Sequence, residues 1–355
     1  MDDFATLVGL VSRYSPSGQE RDAVEWLVAR MRSLGYNDAF SDDVGNAVGV
    51  MGDGPRQVVL LGHIDTVPGE FTVRRNGIPP HEVLYGRGAV DAKGPLACFV
   101  DAVAQVGAVN GWKFIVIGAV EDERDSKGAR CVAEKYRPDY AVIGEPSQWD
   151  RVALGYKGSA WSNITIRREQ AHSASGGETA CEAAIDLWLK IKAYTESFNA
   201  DKTRVFDQLL LTLRSMDSDS NGFEQWARLE IGVRLPAEVP PASWYEILKE
   251  IADGATVDPT GFSIPAWICE KNNLLVRGFL SGIRSQGGEP RFVYKTGTAD
   301  LNIVAPVWKC PVVVYGPGNS SLDHTPHEHI ALQDYMNSVR VLYHVLHNLS
   351  KEPGL

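Results

Sequence analysis

Cysteine is scarce in this chain. The five residues, at positions 98, 131, 181, 269 and 310, are odd in number and contain no C-x-x-C pair. That pattern indicates neither a disulfide framework nor a thiolate zinc site, so a bound metal would need histidine and carboxylate ligands. Long apolar runs are missing as well. The stretch 114–120 is among the longest, far short of the roughly 20 residues that a membrane helix needs. No charged-then-apolar leader opens the sequence, and there is no internal repeat or low-complexity tract. Positive charge is in deficit: 35 basic against 45 acidic side chains leave a net charge of −10. This argues against a nucleic-acid backbone or an anionic membrane as the main partner. The expectation is a cytoplasmic protein that acts on small molecules or on other proteins.

What is present has the composition of a folded globular protein. A length of 355 residues with 44% hydrophobic and 23% charged side chains predicts two domains, or one large and one small. Residues 4–14 and 20–34 read as helices, parted by Ser15-Pro16-Ser17-Gly18 and stopped by Gly35. Apolar strands at 58–61, 114–120 and 140–143 then alternate with helices at 93–106 and 126–136. Strands without polar positions predict a parallel sheet covered on both faces, with ligands beyond the carboxyl ends of its strands. After Gly155 the pattern changes. Residues 161–167 alternate strictly, a long helix spans 178–198, and a polar stretch covers 215–221. A strand at 227–235, a helix opened by Pro240-Pro241-Ala242 and a strand near 262–268 follow. That is an antiparallel α+β unit with one wet face. Alternating strands and helices return with a helix at 273–285, strands at 292–295 and 311–315, and a last helix at 330–349. The predicted fold is α/β: a mostly parallel, doubly wound sheet from residues 1–154 and 270–355, interrupted by an inserted α+β domain at 155–269.

Chemistry gathers at the strand ends. His63 and Asp65, in Gly62-His63-Ile64-Asp65-Thr66, lie two apart in extended chain and point to one side. They suit a metal ligand and the carboxylate that orients it, or else a capped strand end. Asp91 precedes the helix at 93–106, where it could equally be an N-cap. Its surroundings, Gly86 to Gly94, mimic a dinucleotide fingerprint, but Asp91 replaces the last glycine and would repel a phosphate. Glu121-Asp122-Glu123 follows the strand at 114–120. Three adjacent carboxylates raise one another's pKa unless a cation holds them; a solvated acidic turn is the alternative. Glu145 closes the strand at 140–143. His324, His327 and His329 fall within six positions before the last helix, with no H-E-x-x-H. Such ends converge in space. Two histidines and three or more carboxylates without cysteine suit two divalent ions, zinc first, with cobalt or manganese as alternatives. Paired ions activate water and polarise a carbonyl, so the expected reaction is hydrolysis.

Taken in this order, over nearly the whole chain, the motifs resemble the co-catalytic zinc amidohydrolases of the acetylornithine deacetylase, succinyl-diaminopimelate desuccinylase and carboxypeptidase G type. The resemblance implies a lid and dimerisation role for the inserted domain. It implies His63 and Glu145 on one ion, His324 and an acid of the triplet on the other, Asp91 bridging, and Asp65 supporting His63. The family carries a Glu-Glu pair, general base then ligand. Counting back from Gly128 makes Glu123 the ligand and Asp122 a base one methylene short; with a loop one residue shorter, Glu121 is the base and Asp122 the ligand. His172 matches a histidine that reaches across a dimer to the oxyanion, which implies a homodimer. Arg234 matches the arginine that holds the substrate carboxylate. Lys295, Thr296, Gly297, Thr298 and Asn302 offer backbone and polar groups for substrate. By itself Lys295-Thr296-Gly297 would suggest a serine acyl-enzyme, but no Ser-x-x-Lys exists in the chain.

Within the family, 120–123 with 126–130, the run 295–302, and 315–318 with 322–326 most resemble the branch that releases lysine or ornithine from the γ-carboxyl of the terminal Glu of the carrier protein LysW. That implies an acidic protein partner, for which Arg167, Arg168, Lys190, Lys192, Lys202 and Arg204 are candidate contacts. The alternatives are an N-acetyl or N-succinyl amino-acid deacylase, a dipeptidase or carboxypeptidase of the same family, and a non-catalytic metal or amino-acid binding module.

Overall fold

The computed structural model describes residues 3–172, 174 and 176–351. It divides into two compact units. One comprises residues up to Gly155, Cys269–Tyr294 and those from Ala299 onward; the other is Tyr156–Ile268 with Lys295–Thr298.

In the first unit the strand Arg56–His63 contains Val58, Val59, Leu60 and Leu61, all fully buried. A strand apolar on both faces has to be covered on both. It pairs in parallel with Trp112–Ala119 on one side and Tyr140–Gly144 on the other, and Val312–Val314 extends the parallel run beyond Tyr140–Gly144. The flanks are antiparallel. Ala47–Met51 and then Asp38–Ser41 lie beyond Trp112–Ala119, and Arg151–Tyr156 pairs with both Val312–Val314 and Arg291–Lys295. The sheet is therefore mixed, parallel at its centre. A small antiparallel sheet joins Arg74–Asn76, Val83–Tyr85 and His329–Ala331.

Helix Lys93–Val106 is buried along its first eleven residues, as expected of a helix laid directly on a sheet. It packs against Ala5–Val11 and Leu332–Leu349, and the latter against Leu274–Ser285. Its Asp101 accepts hydrogen bonds from Thr6 Oγ1 and, at 2.6 Å, from the Tyr335 hydroxyl, which ties N-terminal and C-terminal helices to one buried carboxyl. A second helix pair is formed by Lys127–Lys135 and Asp300–Trp308. The parallel strands finish level, with His63 opposite Ala119 and Gly62 opposite Gly144. A side chain at Gly144 would come within 2.9 Å of Phe99 and 3.2 Å of the Gly62 Cα. Lacking one, Lys93–Val106 sits close on the carboxyl edge of the sheet.

The second unit is a four-stranded antiparallel sheet in the order Leu210–Ser220, Glu224–Leu235, Gly158–Glu169, Thr256–Ile264. Ala160, Ile164 and Ile166 of its longest alternating strand pack with Leu229, Ile231 and Val233 against Ala184, Leu187 and Ile191 of helix Ala180–Asn199 and Trp244 of helix Pro241–Ile251. Thr179 caps the longer helix in a capping box with Glu182. Two boundaries differ from the sequence expectation. The polar stretch 215–221 is mostly strand, because an edge strand with both faces wet needs no apolar alternation; its ladder runs to Ser220 opposite Gln225, around a turn where Gly222 has φ 87°. The last strand begins at Thr256 rather than 262, and Pro259 is tolerated there because that strand is also an edge.

Candidate metal centre

His63 ends its strand with 1% of its surface exposed. Its Nδ1 lies 3.0 Å from the main-chain oxygen of Asp65. A carbonyl can only accept, so Nδ1 carries a proton and Nε2 is the nitrogen that a cation would take in place of a proton. Nε2 faces Asp91 Oδ1 at 3.1 Å. Asp91, two residues ahead of helix Lys93–Val106, turns its other oxygen to His324 Nε2 at 3.0 Å, and the same nitrogen is 2.9 Å from Glu123 Oε1. Asp91 thus stands between two imidazoles. Ligand atoms of His63, Asp122 and Glu145 lie within 4.8 Å of one another, as do those of His63, Asp91 and Glu123.

Asp65 does more than its sequence position implies. Its carboxylate accepts the main-chain N–H groups of Asp122 at 3.0 Å and Glu123 at 3.1 Å, and the Ser17 hydroxyl at 2.6 Å. His63 Nδ1 is farther from it, at 3.4 Å. Its bonds therefore hold the acidic loop and the Ser17 segment more closely than they hold the imidazole. Ser17, and Ser15 with its hydroxyl on the Ile64 oxygen at 2.7 Å, belong to the segment that the sequence marks only as a break between helices. The first two members of the acidic triplet differ. Glu121 has a left-handed backbone, φ 59°, and its carboxylate lies 3.8 Å from Lys127 Nζ; Asp122 joins the cluster with His63 and Glu145.

The cluster is short of positive charge. Burial, with neighbouring carboxylates adding to it, pushes the carboxyls of Asp122 and Glu123 up and that of Glu145 far up, although histidine pulls each the other way. Asp300, buried at the start of helix Asp300–Trp308, is also raised strongly, by burial and then by the charge of Asp122. Burial would lower His63, but Asp122, Asp65 and Asp91 outweigh it and raise the imidazole. Hydrogen bonds to Asp91 and Glu123 push His324 up to about 10. Asp91, between the imidazoles, is held below the usual carboxylate range against the effect of its burial. Among the described residues no lysine or arginine forms an ion pair with Asp91, Asp122, Glu123, Glu145 or Asp300. Five carboxylates and two imidazoles with one nitrogen free for coordination fit two divalent cations. Asp300 is absent from the sequence-based candidates; its only signal is a carboxylate in a run otherwise read as glycine and hydroxyl groups.

His63, Asp65, Asp91, Asp122, Glu123, Glu145 and His324 meet in the first unit. The other candidates are spread differently. In the second unit Arg234 donates from Nη1 to Thr298 Oγ1 at 3.1 Å, and its burial lowers its pKa. Lys295 ends its strand with its carbonyl accepting from Lys157 N at 3.2 Å, and Thr296 and Gly297 follow it. His172 is exposed and accepts the Ala174 N–H at Nδ1, 3.1 Å. Asn302, in the first unit, is buried, with Oδ1 accepting from Ala299 N at 3.0 Å.

Known proteins match this chain over nearly its whole length. A LysW-lysine hydrolase of Deinococcus radiodurans is 39% identical over 346 residues, 96% of this chain and 94% of its own. A putative LysW-lysine/LysW-ornithine hydrolase of Thermococcus kodakarensis is 40% identical over 343 residues, 96% of this chain and 90% of its own. Among solved structures the aminopeptidase PepT of Bacillus cereus superposes with a TM-score of 0.80 over 98% of each chain; at 18% identity this speaks for the fold alone. Residues 59–348, which run from the central strand through every proposed ligand to the last helix, match the profile of peptidase family M20/M25/M40. With that match spanning the whole cluster of histidines and carboxylates at the strand ends, the chain belongs to peptidase family M20/M25/M40.

Proposed function

We propose that this enzyme hydrolyses a linear amide, releasing lysine or ornithine from the γ-carboxyl of the terminal Glu of the carrier protein LysW. The observation that carries the reading is the cluster of buried carboxylates with histidine but no lysine or arginine to counter it, in a chain 37–40% identical to hydrolases named for LysW substrates. His63 and Glu145 would hold one ion, His324 and Glu123 the other, and Asp91 would serve both. When bound, the two ions, zinc in this reading, acidify a water and polarise the amide carbonyl.

Asp122 takes the proton of the attacking water and delivers it to the leaving amine. Its place beside His63 and Glu145, while the carboxylate of Glu121 lies 3.8 Å from Lys127 Nζ, supports this choice of base. Asp65 keeps Asp122 and Glu123 in position through their N–H groups. Arg234, in no ion pair among the described residues, is free to take a carboxylate of the substrate. His172 acts in a homodimer as the oxyanion donor of the partner subunit; its exposure and that of Ile185 and Leu189 on helix Ala180–Asn199, 50% and 53%, support this part of the reading. Among the basic residues considered for the carrier, Arg167, Arg168, Lys192, Lys202 and Arg204 are each paired with an acid of their own unit. That leaves Lys190 as the one without such a pair among the described residues and weakens a general electrostatic attraction.

The test is metal analysis joined to a product assay on γ-glutamyl-linked lysine and ornithine and on their N-acetyl analogues. The γ-glutamyl conjugates should be turned over with at least tenfold higher kcat/KM, and only by metal-loaded protein. Preference for the acetyl compounds would move the substrate to the deacylases, and full activity after chelation would end the metal reading.

A further inference from the structure

Four residues beyond His324 stands Glu328, fully buried. Its Oε1 accepts two consecutive main-chain N–H groups, Val90 at 2.9 Å and Asp91 at 3.1 Å. Its Oε2 accepts from Arg87 Nη1 at 2.8 Å. Arg87 Nη1 also donates to the Thr325 carbonyl at 3.3 Å, and Arg87 Nε to the Gly69 carbonyl at 3.1 Å. The Glu328 main-chain oxygen accepts from Gly86 N at 3.3 Å. Two segments 237 residues apart in sequence are in this way cross-tied on both sides of the contact between Asp91 and His324.

We propose that Glu328 is a positioning residue for the two-ion centre: it sets Asp91 against His324 so that a single cation can be shared between them. Glu328 does not reach the cluster with its own carboxylate; it acts through the backbone of Asp91 and through the loop that carries His324. Hydrogen bonds to a buried charged acceptor are strong and directional, and the Arg87 guanidinium supplies the counter-charge that a buried carboxylate requires. A plain core ion pair would behave differently. Such pairs can often be replaced with little loss, and replacement would leave metal affinity unchanged.

The inference rests on the two-ion reading above, and its test separates the two. Zinc is titrated into chelator-stripped full-length protein, wild type and Glu328→Gln. The amide keeps one oxygen for the two N–H groups but turns an NH2 toward Arg87, donor against donor. One of the two zinc equivalents should bind roughly 10- to 100-fold more weakly. kcat should fall at limiting zinc and return at excess zinc with KM unchanged. Arg87→Lys keeps the charge, loses the second donor of the fork and should weaken the same equivalent several-fold. Both equivalents bound as in wild type by Glu328→Gln would overturn the proposal; should that variant not fold, an unchanged zinc titration of Arg87→Lys would do so. Wild-type protein that binds no zinc would defeat the two-ion reading instead.

Discussion

Glu121 and Asp122 are adjacent carboxylates in opposite circumstances, one beside a lysine on a left-handed turn, the other inside the cluster with its N–H fixed by Asp65. Asp122→Asn should lower kcat by roughly 10²- to 10⁴-fold with metal content unchanged, while Glu121→Gln should stay within a few-fold of wild type. Steady-state kinetics with metal analysis on both variants would read this, and loss of a metal equivalent in Asp122→Asn would exchange the roles. Lys157 offers a separate test of a buried group. Its ammonium donates to the carbonyls of Phe206 and, at shorter range, Gln208, and Asp207 opposes the effect of burial on it. Burial lowers its pKa to about 8, from 10.5. A depressed group adds stability above its unfolded value and loses it as pH falls through the folded one. Thermal stability of wild type relative to Lys157→Met should therefore rise between pH 8 and pH 10. A constant difference across that window would show that burial of the ammonium carries no such penalty.

The acidic loop depends on how its elements meet. Asn46 Oδ1 accepts from Val120 N at 3.0 Å and its Nδ2 donates to the Gly128 oxygen at 3.3 Å, which clamps the end of strand Trp112–Ala119 to the start of helix Lys127–Lys135. A methyl at Gly128 would lie 2.4 Å from Asn46 Oδ1 and 2.6 Å from Val120 N. Gly128→Ala should cost about 1 to 3 kcal/mol of stability in denaturant unfolding and lower kcat, because the loop it displaces carries Asp122; an unchanged midpoint would mean that the clamp yields freely. Much of this was legible in the sequence. The unbroken apolar strand around Leu60 and the position of His63, Glu121 to Glu123 and Glu145 just past strand ends follow from periodicity alone. What stayed hidden depends on partners distant in the chain. Ser215 to Ser220 carry no apolar alternation because their pairing, not their burial, makes them strand. Asp300 and Glu328 gain meaning only when the fold sets them beside Asp122 and Asp91.

At the scale of the molecule the metal should act as part of the fold. Five carboxylates with two histidines and no lysine or arginine beside them repel one another when no cation is bound. A ligand at a hundred times its Kd stabilises by about 2.7 kcal/mol, so chelation should lower the melting temperature by roughly 5 to 10 °C. Calorimetry before and after readdition of zinc would measure it, and an unmoved transition would show that the cluster tolerates its own charge. No helix among the described residues is long and apolar enough to cross a membrane. The contact between Glu123 and His324 spans 201 residues of chain. At about 5 to 20 residues per second of synthesis, roughly 10 to 40 seconds separate the appearance of one from the other on the ribosome. At the start of that interval the nascent polypeptide holds Asp91, Asp122 and Glu123 but neither Asp300 nor the second imidazole, so pairwise ion loading has to wait until His324 has been made.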